Sequence, residues 1–335
     1  MRLILANIIR GIHFKIIRYP YFSRSPNAFK LDERYNKMRI TYRPLIALVD
    51  GLETISFIRQ YKGYFNRETG RGKLTRLVAS PLILTLIKNH KLTMHHVIEM
   101  PTELIRLKKN SKYVTYKDTK AIIKLRSRLE KHNKVLQQST IELRIPKKKK
   151  DNLVDKDNNI VDFAQQSYHR IFSNNSFKKH GRFYGPWWQS LKRELRQFIY
   201  INNQPTVELD YSSLHIHLLY SQKKKNYEDV FGKGSDPYAL AGLETKYRNI
   251  IKVAFLVSLN MKTKKNYVQA VTRRLRDEDL YVRNIPYTKI INQLMAKHTT
   301  IKEYFFSGIG LDLMYFDSLL TDYVAWKCTN RKIPV

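Results

Sequence analysis

Three side chains of this sequence have the types and spacing for phosphate chemistry. They are a carboxylate, Asp210 in VELDYSSLHIHLLYS, and two cations, Arg248 and Lys252 in KYRNIIKVAFLVSLNM. Residues four apart project from one helical face, so Arg248 and Lys252 would stand together beside an apolar face of Ile251, Phe255 and Leu259. Two cations on one helical face are what a triphosphate requires. Alternation in a strand over 207–210 sets Val207 and Leu209 on one side and Glu208 and Asp210 on the other, bringing Asp210 to solvent at the strand's end. A divalent ion could be held there by the carboxylate and a backbone carbonyl. The plainer alternative is a helix N-terminus with an acidic residue beside it.

The chain around these residues is strongly basic: 62 lysines and arginines against 28 aspartates and glutamates, a net charge of +34. Such an excess repels itself without an anionic partner, and nucleic acid is the commonest one. Twenty-two tyrosines and fifteen phenylalanines lie among the cations, which suits base stacking as well as phosphate contact. An AT-rich genome, which favours lysine and tyrosine codons, is the competing explanation. No stretch approaches the roughly 20 apolar residues that span a membrane, so no membrane partner is expected. The 43% hydrophobic content allows a core and excludes global disorder. Cys328 is the single cysteine, which rules out a disulfide framework or a cysteine zinc site and fits a reducing cytoplasm. His215 and His217 are two apart, a poor chelate on a helix, and His95 and His96 are adjacent. Trp187 and Trp188 suit either a core or a template-facing surface.

Further elements are expected to position the site. MRLILANIIRGIHFKIIRY at the N-terminus has its apolar run broken by Arg10, His13 and Lys15, and reads as an amphipathic helix, not an export signal. TYRPLIALVDGLE predicts a helix ending near Gly51, with Leu45, Ile46, Leu48 and Val49 on one face. Two β-rich runs then surround the turn-forming NRETGRGK. A short helix followed by a basic-tipped hairpin resembles a winged-helix module, with Arg67, Arg71 and Lys73 at the wing tip against a nucleic-acid backbone; an ordinary helix–hairpin unit is the alternative. Residues 116–138 predict a long basic amphipathic helix with Ile122, Leu125, Leu129 and Val135 on one side. IPKKKKDNLVDKDNN (145–159) predicts a linker or exposed loop. The expected divisions are 1–110 (nucleic-acid-binding, with the winged helix at 31–80), 111–173 (basic helix and linker) and 174–335.

The last region carries an ordered series of motifs. GRFYGPWWQSLKRELRQFI places Arg182, Gln189, Arg193 and Arg196 in an aromatic setting suited to gripping a backbone; VELDYSSLHIHLLYS, GSDPYALAG and KYRNIIKVAFLVSLNM follow. The series resembles the palm and fingers of family A DNA polymerases and the related phage-type single-subunit RNA polymerases over roughly residues 175–335. GRFYGPWWQ resembles the template–primer motif, DYSSLHIHL resembles motif A, RNIIKVAFLVSLNM resembles motif B, and DPY lies where those enzymes have Asp-x-His.

The resemblance implies an α+β fold: a polymerase-like palm with an antiparallel sheet and helical fingers, preceded by a mostly helical N-terminal region. It implies Asp210 as the catalytic, metal-binding carboxylate with Mg²⁺, and Arg248 and Lys252 on the triphosphate. Tyr211, His215 and Asn260 fall at the nucleotide pocket, and Arg182 and Gln189 at the template–primer. The expected activity is template-directed nucleotidyl transfer, polymerase- or primase-like, in the replication of a plasmid, phage or other mobile element. The partners would be a DNA template–primer or RNA, and nucleoside triphosphates.

Three departures qualify it. His215 replaces the motif A glutamate that helps exclude a 2′-hydroxyl, and Asn260-Met261 replace the motif B Tyr-Gly. Motif C, which supplies the second carboxylate, would begin about where the sequence reaches Val335. This predicts a region incomplete at its C-terminus, or Glu208 or Asp236 substituting. The alternative function is a non-catalytic nucleic-acid-binding replication protein on the same scaffold.

Overall fold

The computed structural model describes residues 1–13, 20–68, 71–98, 100, 102–146, 153–154 and 161–335; the side chain of Arg71 and most of the expected linker at 145–159 lie outside the described residues. The fold is mixed α+β with small antiparallel sheets. The chain divides into two units, one of residues 1–170, 183–208 and 328–335, the other of 171–182 and 209–327. Residues 111–170 of the expected middle region fall in the first unit, as do 183–208 and 328–335 of the expected last region. Among the described residues no helix is long and apolar enough to cross a membrane.

The N-terminal part of unit 1 is mixed rather than mostly helical, because strands alternate with its helices. Helix α1 (Arg2–His13) buries Ile4, Ile8 and Ile9, as an amphipathic helix does, while Lys15 lies outside the described residues. It packs in one core with α2 (Tyr42–Thr54), through Val49 and Leu52. Helix α2 runs past Gly51, where a glycine costs about 1 kcal/mol but does not stop a helix. Strand β1 (Tyr21–Phe22) pairs with β5 (Thr75–Ala79), which also pairs with β2 (Ile58–Tyr61). Beyond β2, β3 (Tyr64–Asn66) and β4 (Arg71–Lys73) continue as a two-stranded ribbon. Gly63 sits at the junction because any Cβ there would lie 2.1 Å from the Lys73 carbonyl oxygen. Helix α3 (Pro81–Asn89) starts with Pro81 and the Ser80 side chain accepting from Ile83 N, so its first turn is satisfied.

Strands β6 (Ile105–Lys109) and β7 (Lys112–Tyr113) turn through Asn110 and Ser111, both at positive φ. Helix α4 (Lys120–Gln137) buries Ile122, Leu129 and Leu136, with Leu125 and Val135 at the stripe's half-exposed margin. Glu103, 6% exposed, ties this region together. It accepts from Ile105 N (2.9 Å), Arg126 Nε (3.1 Å) and Arg34 Nη1 (3.1 Å), while both arginines also reach Asp118. Strand β8 (Ile141–Leu143) completes the described elements of this stretch.

Strands β9 (His169–Ser173) and β10 (Ser176–Tyr184) form a hairpin whose outer part, 171–182, belongs to unit 2. Its turn is Asn174-Asn175, each at φ 54°, the left-handed conformation that asparagine tolerates and a two-residue hairpin requires. In unit 1, α5 (Trp187–Ser190) and α6 (Arg193–Arg196) lead to β11 (Ile199–Ile201) and β12 (Gln204–Pro205), with β11 pairing β8. Trp187, Leu191, Leu136 and Leu143 make the core here, so Trp187 is a core residue. Trp188 donates its indole N–H to Tyr168 Oη at 2.9 Å.

Unit 2 is helical apart from its hairpin. It comprises α7 (Leu214–Gln222), α8 (Tyr227–Phe231), α9 (Arg248–Asn260), α10 (Tyr267–Asp277), α11 (Tyr287–Lys297) and α12 (Gly310–Asn330, in this unit through Lys327). One core gathers Ile216, Tyr220, Phe255, Leu259, Val271, Leu294 and Leu313. The strand expected at 207–210 does not form: the ladder ends at β12, and Val207 and Leu209 are 81% and 89% exposed. Alternation alone cannot bury a residue. A strand also needs a neighbour to bond and a layer to cover it, and the described residues put neither against this segment.

Candidate functional site

In unit 2, α9 presents both expected cations. Its apolar residues Ile251, Phe255 and Leu259 are buried, which fixes the helix's rotation and leaves Arg248 and Lys252 half-buried one turn apart. Each meets its own cluster.

Arg248 joins the GSDPYALAG loop. Its Nε donates to Asp236 Oδ2 at 2.9 Å, and its guanidinium lies 5.2 Å from the centre of the Tyr238 ring. Nη1 and Nη2 have no protein acceptor among the described residues, so the outer edge of the fork is available to an anion. The loop is itself held. Lys297 Nζ donates to the carbonyls of Asp236 (2.9 Å) and Ala239 (2.8 Å). His298, fully buried, joins Pro237 O (3.0 Å) to Tyr220 Oη (3.1 Å). Burial pushes the His298 imidazole down to about 4, so it is neutral near pH 7. Beside the loop is a cavity of about 310 Å³ lined by Arg248, Asp236, Ser212, His217, Tyr227 and Gly234, among others. That is near the lower end for a small-molecule pocket.

Lys252 faces the second cluster. Arg182 Nε donates to Asp317 Oδ2 at 2.8 Å, and its Nη2 lies 3.4 Å from His215 Nε2. Because a guanidinium can only donate, His215 accepts through Nε2 and carries its proton on Nδ1. Burial lowers the His215 pKa first, and Arg182 and Lys252 lower it further against the opposing effect of Asp317. Lys252 is thus within electrostatic reach of His215, with no ion-pair partner among the described residues. Gly181 makes this arrangement attainable: it sits at φ 75°, and a Cβ there would meet Ser318 Oγ at 2.7 Å, so β10 lies close against α12 and sets Arg182 beside Asp317.

The other expected residues divide. Asp210 and Tyr211 are exposed, in the irregular segment before α7. His217 points away from His215 and sets its ring edge-on to Tyr227. Asn260 is engaged structurally: its Nδ2 donates to Leu256 O, and its amide packs on Gly310 so closely that a Cβ there would lie 2.0 Å from Oδ1. In unit 1, Gln189 is tied into its own loop, accepting from Gly185 N and donating to Phe183 O. Arg196 pairs with Glu208 at 2.6 Å, and Arg193 is exposed. Of the expected wing-tip residues, Arg67 is exposed at the tip of the β3–β4 ribbon and Arg71 pairs its backbone with Asn66 there. Lys73, also exposed, instead lies opposite Tyr64 at the ribbon's base, because the pairing puts the turn beyond Asn66 and Arg71.

Magnesium, which the resemblance implies, needs several oxygen ligands converging on one point. Glu208 and Asp236, the candidate replacements for a second carboxylate, are taken by Arg196 and Arg248. Among the described residues no group of three or more histidines, cysteines or carboxylates could hold a metal ion. The donor set therefore does not fit a two-ion site.

Sequence reading missed Asp317, Asp312 (paired with Lys179 at 2.6 Å) and the loop-holding Lys297 and His298. Asp317 and Asp312 lie 135 and 133 residues from their partners, and no local pattern marks such a pair. Compared with known proteins, the chain matches no family model, no curated protein and no solved structure.

Proposed function

We propose that unit 2 binds a nucleoside triphosphate in the service of template-directed nucleotidyl transfer on a nucleic acid. The observation carrying this reading is the pair Arg248 and Lys252, one turn apart on α9. Arg248 is aimed by Asp236 with its outer donors open, and Lys252 is without an ion-pair partner among the described residues. Charge-assisted bonds from two such cations suit a polyphosphate. The net charge of +34 suits the nucleic acid that would carry template and primer. In this reading unit 2 corresponds to palm and fingers, and Asp210 is the carboxylate on which catalysis depends.

Primer extension with deoxynucleoside and with ribonucleoside triphosphates, comparing wild type with Asp210→Ala, tests it. Incorporation by wild type that is lost in the variant supports the reading; equal incorporation by both removes Asp210 from the reaction.

A second reading, a nucleic-acid-binding replication protein without catalysis, is favoured by the engagement of Glu208 and Asp236 with arginines. It predicts no incorporation by wild type but retained, salt-sensitive binding to the template–primer.

A further inference from the structure

The β3–β4 ribbon and the adjoining ends of β2 and β5 carry exposed rings set among cations. All three residues of β3 are exposed, so the ribbon shows both faces to solvent. Two of them are large rings, Tyr64 at 62% and Phe65 at 68% exposure. Successive strand residues point to opposite faces, so each face of the ribbon carries one ring. Gly72 stands directly across from Phe65, and a Cβ there would come within 3.0 Å of the Phe65 ring, so the glycine leaves the ring room to lie against the strand. At the adjoining end of β2, Tyr61 is also exposed and opposes Arg76 of β5 across the ladder. The guanidinium of Arg59 lies 5.3 Å from the centre of its ring and that of Arg76 5.9 Å.

The charges around the rings decide what could cover them. Residues 58–79 hold six arginines and lysines and one acid, Glu68. A second copy of this chain would bring its own +34 against the same cations, and six cations with one acid need an anionic partner to offset them. A polyanion with flat apolar groups matches both features. In a duplex the base faces are hidden by stacking and pairing, whereas in a single strand they are free to stack on aromatic rings.

We propose that this ribbon is a binding surface for single-stranded nucleic acid, with Tyr64, Phe65 and Tyr61 stacking on unpaired bases and Arg59, Arg67, Lys73 and Arg76 following the phosphates. This goes beyond backbone contact by a basic wing tip, and it stands whether or not unit 2 binds a triphosphate.

The test uses the full chain and a fluorescein-labelled, mixed-sequence DNA of about 20 nucleotides, as a single strand and as the matching duplex, titrated at several salt concentrations. Replacing both ribbon rings (Tyr64→Ala with Phe65→Ala) is expected to weaken single-strand binding by roughly tenfold or more, leaving the salt slope and duplex affinity unchanged. Arg67→Ala with Lys73→Ala is expected to weaken both forms and to flatten the salt dependence. Phe65→Trp provides a second readout that removes no ring: its emission in excess of the three native tryptophans of the wild type is expected to be quenched by the single strand and not by the duplex. Unchanged single-strand affinity in the double-alanine variant, equal loss on both DNA forms, or no quenching of the introduced tryptophan would each overturn the proposal. So would concentration-dependent self-association of the wild type that the double-alanine variant abolishes, because the rings would then serve a protein contact.

Discussion

Glu103→Gln is expected to destabilise the first unit strongly. Glu103 is almost wholly buried, and it faces two guanidiniums and a backbone N–H at 2.9–3.1 Å. The substitution replaces an acceptor oxygen with an N–H₂ group aimed at donors, and leaves Arg34 and Arg126 without their buried counter-charge. Removing one partner of a buried pair costs about 3–5 kcal/mol. Here Asp118 still reaches both arginines at 3.2 and 2.8 Å, and it is partly exposed, which argues for the lower end, about 3 kcal/mol. For a unit of about 200 residues this corresponds to a fall in Tm of about 6–12 °C. Thermal unfolding followed by circular dichroism measures it. The pH dependence has a definite sign. Burial opposes the Glu103 charge, yet the bonds from Ile105 N–H, Arg126 and Arg34 prevail and hold its pKa below the ordinary value of 4.5. Its stabilisation is therefore full above the unfolded value and is lost as the pH falls through the lower folded one. A Tm within about 2 °C of wild type near pH 7 would refute the assignment of this network as the tie between the 31–40 segment, β6 and α4.

Three further outcomes test unit 2. His298 is buried neutral, with its pKa lowered from 6.5 to about 4, so stability should be full above about pH 6.5 and decline by about 3 kcal/mol as the pH falls toward 4; urea midpoints across that range should be visibly flatter in His298→Gln. Histidine NMR should show the His215 pKa rising toward its ordinary value in Arg182→Met, and falling further in Asp317→Asn, because Asp317 is the group that opposes the decrease. Gly310→Ala should destabilise by about 1–3 kcal/mol through the clash with Asn260. In urea unfolding, adding Asn260→Ala should recover most of that loss, since alanine is otherwise the better helix residue.

What could be read from the sequence was what local periodicity controls. The i, i+4 spacing of Arg248 and Lys252 beside Ile251, Phe255 and Leu259 placed both cations on one helix, and α9 carries them so. The amphipathic helix at the N-terminus, and Ile122 with Leu129 on one side of α4, were legible for the same reason. The segment 207–210 misled because alternation describes a strand's two faces without saying whether a neighbour exists to bond it. The clusters themselves were out of reach. Arg182 finds Asp317, and Arg34 finds Glu103, across 135 and 69 residues, where only the tertiary fold brings the charges together. Tyr64 and Phe65 lie in one of the two β-rich runs around NRETGRGK; their exposure follows from the ribbon's extension beyond the β1–β5–β2 sheet.

The central claim, that Arg248 and Lys252 hold a triphosphate, is tested most directly by the equilibrium affinity of the full chain for a radiolabelled nucleoside triphosphate in the presence of a template–primer. Arg248→Ala and Lys252→Ala should each weaken it by roughly tenfold or more, as the loss of a charge-assisted bond of about 1.5–3 kcal/mol requires. Asp236→Asn, which loosens the aim of Arg248 without removing its charge, should weaken it less. Affinities of both alanine variants within about twofold of wild type would contradict the account.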